Sequence, residues 1–285
     1  MSGEASGKKQ KRMEKRRNIQ TQIRDHKAVF AVYVILRIIV IASLALAIIR
    51  GEYESAFVCV LALILFLLPH FLERTFVIDI PDTLEIIILL FIFAAEILGE
   101  LQNYYIQYPH WDVMLHTVNG FLCAAVGFSL VDILCRNKQD KFRLSPLYMA
   151  IVAFCFSMTV GVLWEFFEYG MDCIFHTDMQ KDTVIHTIHS VALDPTATNT
   201  VVTLDGVKSV MVNGVELGHG GYIDIGLIDT MNDLMVNFVG AVVFSIIGFF
   251  YIKQRGRGKA GRFARHFIPT IAEEPTDEQT GSDSE

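Results

Sequence analysis

Six apolar runs, at about 28–49, 55–72, 84–105, 113–135, 147–170 and 230–252, constrain this chain more than any other feature of its sequence. A helix of about 20 residues covers the roughly 30 Å of hydrocarbon in a bilayer, so each run is long enough to cross. The runs are continuous and lack the period-two alternation of a membrane barrel. Only a helix satisfies every backbone N–H and C=O within one isolated span. With 52% hydrophobic and 19% charged residues, against about 25% charged in soluble domains, the composition excludes soluble, disordered and fibrous classes. The expected fold is an all-α membrane protein, a bundle of about six transmembrane helices with a small extracytoplasmic β-rich insert. One polytopic membrane domain is expected over 28–252, between cytoplasmic tails at 1–27 and 253–285.

Basic residues orient the bundle. Nine Lys and Arg stand between Lys8 and Lys27, four at Arg136, Lys138, Lys141 and Arg143, and six from Lys253 to Arg265. The intervening connections hold only Arg50, none, and Lys181 with Lys208. Placing alternate connections on one side, with Arg74, leaves twenty basic residues there and three on the other. The rich side is the cytoplasmic one, so both termini are cytoplasmic and the protein belongs in the plasma (inner) membrane. Ala45-Leu46-Ala47 imitates a signal-peptide cleavage site, but Arg37 interrupts the apolar run before it, and the first span is expected to stay. The basic tail lacks aromatic interleaving, which favours anionic lipid heads over nucleic acid as its partner.

The segment 171–229 is the one long exposed connection. Asp205-Gly206 and Asn213-Gly214 are hairpin signals, and the β-prone runs 200–204 and 207–212 beside them predict a small meander. His176, His186, His189 and His219 read as ordinary surface residues of that insert. The five cysteines, at 59, 123, 135, 155 and 173, form no CxxC pair, and no disulfide is expected.

Ionisable residues within spans are costly and here share one depth. On the assigned topology, Glu96 and Glu100 lie at the outer end of span three, and Asp112 and His116 at that of span four. Glu165, Glu168 and Asp172 end span five, and Asp229, Asp233 and Asn237 begin span six. At about 100° per residue each set occupies one narrow helix face, so four helices can direct polar stripes at each other. Packed carboxylates without Lys or Arg cannot all ionise unless a cation joins them. Asp112, His116, Glu165, Glu168, Asp172, Asp229 and Asp233 are therefore candidate ligands of a divalent metal cation such as Mg, Mn, Ca, Fe or Zn. Protonated acids of a proton or ion pathway, and interhelical polar glue, are the competing readings. Asp229 also suits a helix N-cap. By depth, Arg37 of span one can reach Glu96, which predicts a structural ion pair. Gly161 and Gly240 predict a close approach of spans five and six.

Trp111-Asp112-x-x-Leu115-His116-x-x-x-Gly120, then Leu163-Trp164-Glu165-x-x-Glu168-x-x-x-Asp172, then Asp229-Thr230-x-x-Asp233-Leu234-x-x-Asn237-x-x-Gly240-Ala241 form three ordered blocks. Over about 84–252 they resemble the YjdF-type family of bacterial inner-membrane proteins, and more loosely VanZ-like membrane proteins. The resemblance implies a polytopic helical membrane domain and no particular activity. The sequence contains no GxxxxGK, GxSxG or HExxH, so nucleotide-driven, serine-hydrolase and zinc-protease readings are unsupported. Two functions stay open: metal-assisted chemistry on, or binding of, a lipid or cell-envelope substrate, and cation- or proton-coupled transport. A structural polar network is the third.

Overall fold

The computed structural model describes residues 26–136, 144–254 and 256–271. Most of the basic tail, Lys138 to Arg143 and the acidic C-terminal end lie outside the described residues.

Helix α1 (Lys27–Arg50) ends at Gly51, whose φ of 74° supplies the left-handed cap that lets the chain reverse at once into α2 (Tyr53–Leu65). Pro69 lies in the first turn of α3 (Leu68–Phe76), and α2 and α3 together form the second span. The third span is composite. Helix α4 (Asp82–Ile92) passes directly into a π-helical stretch, Phe93–Leu101, and then into the single turn α5 (Tyr104–Gln107). Three long helices follow: α6 (Trp111–Arg136), α7 (Pro146–Phe175) and α8 (Leu227–Lys253). Helix α7 starts as its sequence dictates, with Ser145 accepting from the Tyr148 N–H and Pro146 in the first turn. Five helical segments are each long and apolar enough to cross a membrane, and the π-interrupted third accompanies them. Their outward faces carry large exposed apolar side chains, among them Ile38, Ile48, Phe57, Leu163 and Phe166.

The spans form two groups. Around α1, α2, α4 and the π-helix an apolar seam joins Leu36, Val40, Cys59, Ala62, Phe66, Leu89 and Ile97. Helices α6, α7 and α8 pack into a tighter trio. A Cβ on Gly120 would lie 2.1 Å from the Asn237 carbonyl oxygen, and one on Gly240 would lie 2.1 Å from that of Thr117. Only glycine allows this backbone-to-backbone contact of α6 with α8. Gly161 faces the Asn237 side chain, as the expected approach of spans five and six requires, whereas Gly240 faces span four instead. Below these contacts Phe121, Phe128, Phe244 and Tyr251 meet edge to face.

One end of the bundle gathers the start of α1, the start of α4 and the C-terminal segment. His26 Nδ1 meets Asp82 Oδ1, and β1 (Ile78–Asp79) pairs antiparallel with β8 (Thr270–Ile271). This agrees with the alternation of basic connections, which put these three segments on one side. The C-terminal tail is not free throughout, because α9 (Gly258–Ala264) and the residues after it dock on the trio, with Ala264, Phe267 and Ile268 buried.

The opposite end carries the insert, whose strands are β2 (Val184–Ile185), β3 (Ile188–Ser190), β4 (Val202–Leu204), β5 (Met211–Val212), β6 (Val215–Glu216) and β7 (Tyr222–Ile223). Asn213 and Gly214, with φ of 51° and 81°, form the expected two-residue hairpin between β5 and β6. The expected pairing across Asp205-Gly206 does not form. The Asp205 carboxylate takes the Thr187 hydroxyl and the Gly206 N–H, which turns the chain so that β4 pairs with β3, and β2 pairs with β7. His186 and His189 bond locally, to the Val207 carbonyl and the Thr203 hydroxyl.

Candidate metal centre

Three helices of the trio supply the site from their insert-side halves. The first turns of α6 place Asp112 and His116 on one face, the last turns of α7 place Glu165 and Glu168, and α8 brings Asp233. His116, Glu165, Glu168 and Asp233 are buried, at 8%, 4%, 7% and 2% exposure, and Asp112 is half-buried. Two groups have ligand atoms all within 4.8 Å of one another: Asp112, His116 and Asp233, and Glu165, Glu168 and Asp233.

The imidazole lies at the centre of the arrangement. His116 Nε2 is 3.5 Å from Asp112 Oδ1 and 3.7 Å from Asp233 Oδ2, and Nδ1 is 4.0 Å from Glu165 Oε1. All three exceed a good hydrogen bond, at about 2.7–3.2 Å, and the two made at Nε2 suit neighbouring ligands around one ion. Glu168 Oε1 accepts from the Trp164 indole N–H at 2.8 Å. Glu168 Oε2 and Glu165 Oε2 are buried and meet no hydrogen-bond partner among the described residues. A buried carboxylate oxygen without a partner is costly, and a cation is the natural complement. Among the described residues no Lys or Arg pairs with any of the four acids.

Asp172 and Asp229, also candidate ligands, face the insert. Asp172 accepts from Thr177 Oγ1 and from the Met179 and Gln180 N–H groups, and Asp229 accepts from the Lys181 N–H. The end of α7 and the start of α8 thereby hold residues 177–181 across the mouth of the cluster. Gln180 donates to the Thr230 hydroxyl, and both side chains approach the Glu165 carboxylate. Asp224 fixes the other end of the strap by accepting from the Thr183 and Ile228 N–H groups. Burial raises the Asp224 carboxyl, but those bonds outweigh it and hold the group below the usual carboxylate range.

The Glu96 stripe stays outside both groups. Glu100 is exposed, and Arg37 forms no ion pair with Glu96 among the described residues. The Arg37 guanidinium instead lies over the Tyr33 ring, with Cζ 4.4 Å from its centroid. A regular α-helix through span three would bring Glu96 to the depth of Arg37. The π-helix widens each turn and redirects every later side chain, so facing cannot be counted off at 100° per residue.

Asn119, Ser157 and Tyr105 are not singled out by the sequence pattern, whereas Asn237 and Trp111 are. Asn119 donates to Asn237 at 3.4 Å, and Ser157 donates to the Gly120 carbonyl at 2.8 Å, forming a neutral rung directly below the acids. Asn119 follows His116 by three positions and so shares its face, the one clue available. Tyr105 rests on Gly99, where a Cβ would come within 2.4 Å of its ring, and it lies in the field of Asp112, Glu100 and Glu168. Trp111 closes the gap to span three by donating to the Ala94 carbonyl in the π-helix.

A bundle of apolar helices around a buried carboxylate and histidine cluster defines a multi-pass membrane protein. Residues 31–254 match the family described as "Predicted membrane protein (DUF2238)", and the chain belongs to it. It is also similar to an uncharacterized protein of Thermotoga maritima, 24% identical over 106 residues. That match covers 37% of this chain and 53% of the relative, about half of the relative's length. No solved structure matches.

Proposed function

We propose that this protein binds a divalent metal cation at the Asp112, His116, Glu165, Glu168 and Asp233 cluster, on the extracytoplasmic side of a plasma (inner) membrane. The metal serves the binding of, or metal-assisted chemistry on, a lipid or cell-envelope substrate. One observation carries the reading: four carboxylates and an imidazole from three helices share a buried space in which two carboxylate oxygens meet no partner. Oxygen donors with one imidazole nitrogen suit Mg, Mn, Ca, Fe or Zn. The basic connections support cytoplasmic termini, with anionic lipid heads as partner of the N-terminal tail. Membership of the matched family is compatible with the YjdF-type resemblance.

Transport of a cation or proton is favoured by the neutral rung of Asn119, Asn237 and Ser157 and by the unpartnered Ser245 hydroxyl two turns deeper. The interlocked rings of Phe128 and Phe244, both 0% exposed, oppose it, because they fill the trio at the depth a path would cross.

Elemental analysis of the detergent-purified protein beside a Glu165→Gln, Asp233→Asn double variant tests the metal. Near-stoichiometric metal in the wild type and its loss in the variant are expected. A wild type that takes up none of Mg, Mn, Ca, Fe or Zn overturns the proposal. Cation or proton flux into proteoliposomes that depends on Glu165 would establish transport instead.

A further inference from the structure

We infer that the site holds two divalent cations, with Asp233 as the carboxylate that bridges them, an inference that rests on the metal-binding reading above. The candidate ligands fall into two groups and not one. Asp112, His116 and Asp233 form one set, Glu165, Glu168 and Asp233 form the other, and Asp233 alone belongs to both. It is also the most buried of the acids, at 2% exposure, between the other two helices.

Charge leads to the same count. Asp112, Glu165, Glu168 and Asp233 carry four negative charges when ionised, and no Lys or Arg pairs with them among the described residues. One divalent ion leaves two charges uncompensated in a buried space, whereas two leave none. The unpartnered oxygens are distributed accordingly. Glu165 Oε2 and Glu168 Oε2 both belong to the set that lacks the histidine, so an ion held by Asp112 and His116 would leave them unsatisfied.

The two positions differ in chemistry. The first offers an imidazole nitrogen and two carboxylates and suits a borderline ion, while the second offers carboxylates only and suits a hard one. His116 lies between them, with Nε2 turned to Asp112 and Asp233 and Nδ1 turned to Glu165. The Nδ1–Glu165 separation of 4.0 Å is too long for a hydrogen bond, so His116 separates the two sets without bonding across them. Paired cations at about 3.5–4 Å clamp two oxygens of one group, so the ligand class is an oxyanion, phosphate above all.

Mn(II) is the probe, because it accepts both donor sets and its spectrum distinguishes isolated from coupled ions. The full chain in detergent is loaded with Mn(II), freed of excess, and examined by elemental analysis and electron paramagnetic resonance. Two Mn per chain with an exchange-coupled spectrum are expected in the wild type. Glu168→Gln and Asp112→Asn should each retain one Mn with an isolated six-line spectrum, and Asp233→Asn should lose the coupling. His219→Ala, in the insert, should retain two coupled ions. One Mn per chain with a six-line spectrum in the wild type overturns the paired site and leaves the metal-binding reading standing. No Mn, and no other divalent ion taken up, overturns both. The wild-type result decides without relying on any variant to fold.

Discussion

Between the helices of the first three spans lies an apolar seam of Leu36, Val40, Cys59, Ala62, Phe66 and Leu89, whereas the last three enclose His116, Glu165, Glu168, Asp233 and Asn237. In a bilayer an apolar seam gains little over contact with lipid tails, so this seam is held by van der Waals fit, with the His26–Asp82 contact at one end. The second half departs from that economy. It buries acids that cost several kcal/mol each unless compensated, and it brings helix backbones into contact through Gly120 and Gly240 to do so. Polar residues tolerated at that cost are the reason the proposed site is assigned to the second half.

The comparison is broken most directly by removing acids on each side of it. Asp233→Asn should weaken divalent-metal binding by about a hundredfold or more, while Glu96→Gln on the π-helix should leave it within about twofold, as calorimetric titration would show. Equal losses would mean that span three belongs to the site after all.

Packing provides the next contrast. Gly240→Leu forces a side chain into the Thr117 backbone and should destabilise the trio by about 3 kcal/mol or more, whereas Ala62→Leu in the apolar seam should cost about 1–3 kcal/mol. Thermal unfolding followed by circular dichroism ranks the two, and the reverse order would contradict the close contact of α6 with α8.

A smaller effect should follow from Trp164→Phe. Among the described residues it removes the one side-chain hydrogen bond made to the Glu168 carboxylate, and metal affinity should fall by about tenfold while the fold is retained. Unchanged affinity would place Glu168 outside the ligand set.

The smallest effect belongs to the insert, which neither half buries. The Asp194 carboxyl lies well below its usual range because the Thr196 hydroxyl and N–H donate to it, with the Thr198 and Thr200 N–H groups adding to this. A group lowered in the folded state stabilises above its unfolded value of about 3.9, and that contribution is lost as pH falls toward the folded value. Amide exchange at Thr196, Thr198 and Thr200, corrected for its intrinsic pH dependence, should therefore be slowest above about pH 5 and quicken below about pH 4. Exchange in α6 and α8 should not follow it, and a common response would show that insert and bundle open together.

Much of this was legible along the chain. Each span declares itself by its apolar run, the Asn213-Gly214 turn by its dipeptide, and the start of α7 by Ser145-Pro146, because all three depend on neighbours within a few residues. The one-faced spacing of Asp112 with His116 and of Glu165 with Glu168 likewise follows from helical geometry alone. The C-terminal dock was less legible. Phe263, Phe267 and Ile268 form a short apolar face, but its partner is a groove that exists only once α6 and α8 have packed.

Membrane class, a succession of five to six apolar helices and the set of acids near one end of the bundle are written in the chain, since length, hydropathy and helical period are local properties. Which acids meet depends on how the helices pack. The carboxylates of Asp172 and Asp229 share helix faces with Glu168 and Asp233 yet are taken by backbone N–H groups of the insert. Glu96, on the π-helix, shares a depth with the cluster by sequence yet belongs to neither ligand group. In both cases periodicity gives the direction of a side chain relative to its own helix, while the partner is set by how that helix is rotated and what the connecting chain brings to its end.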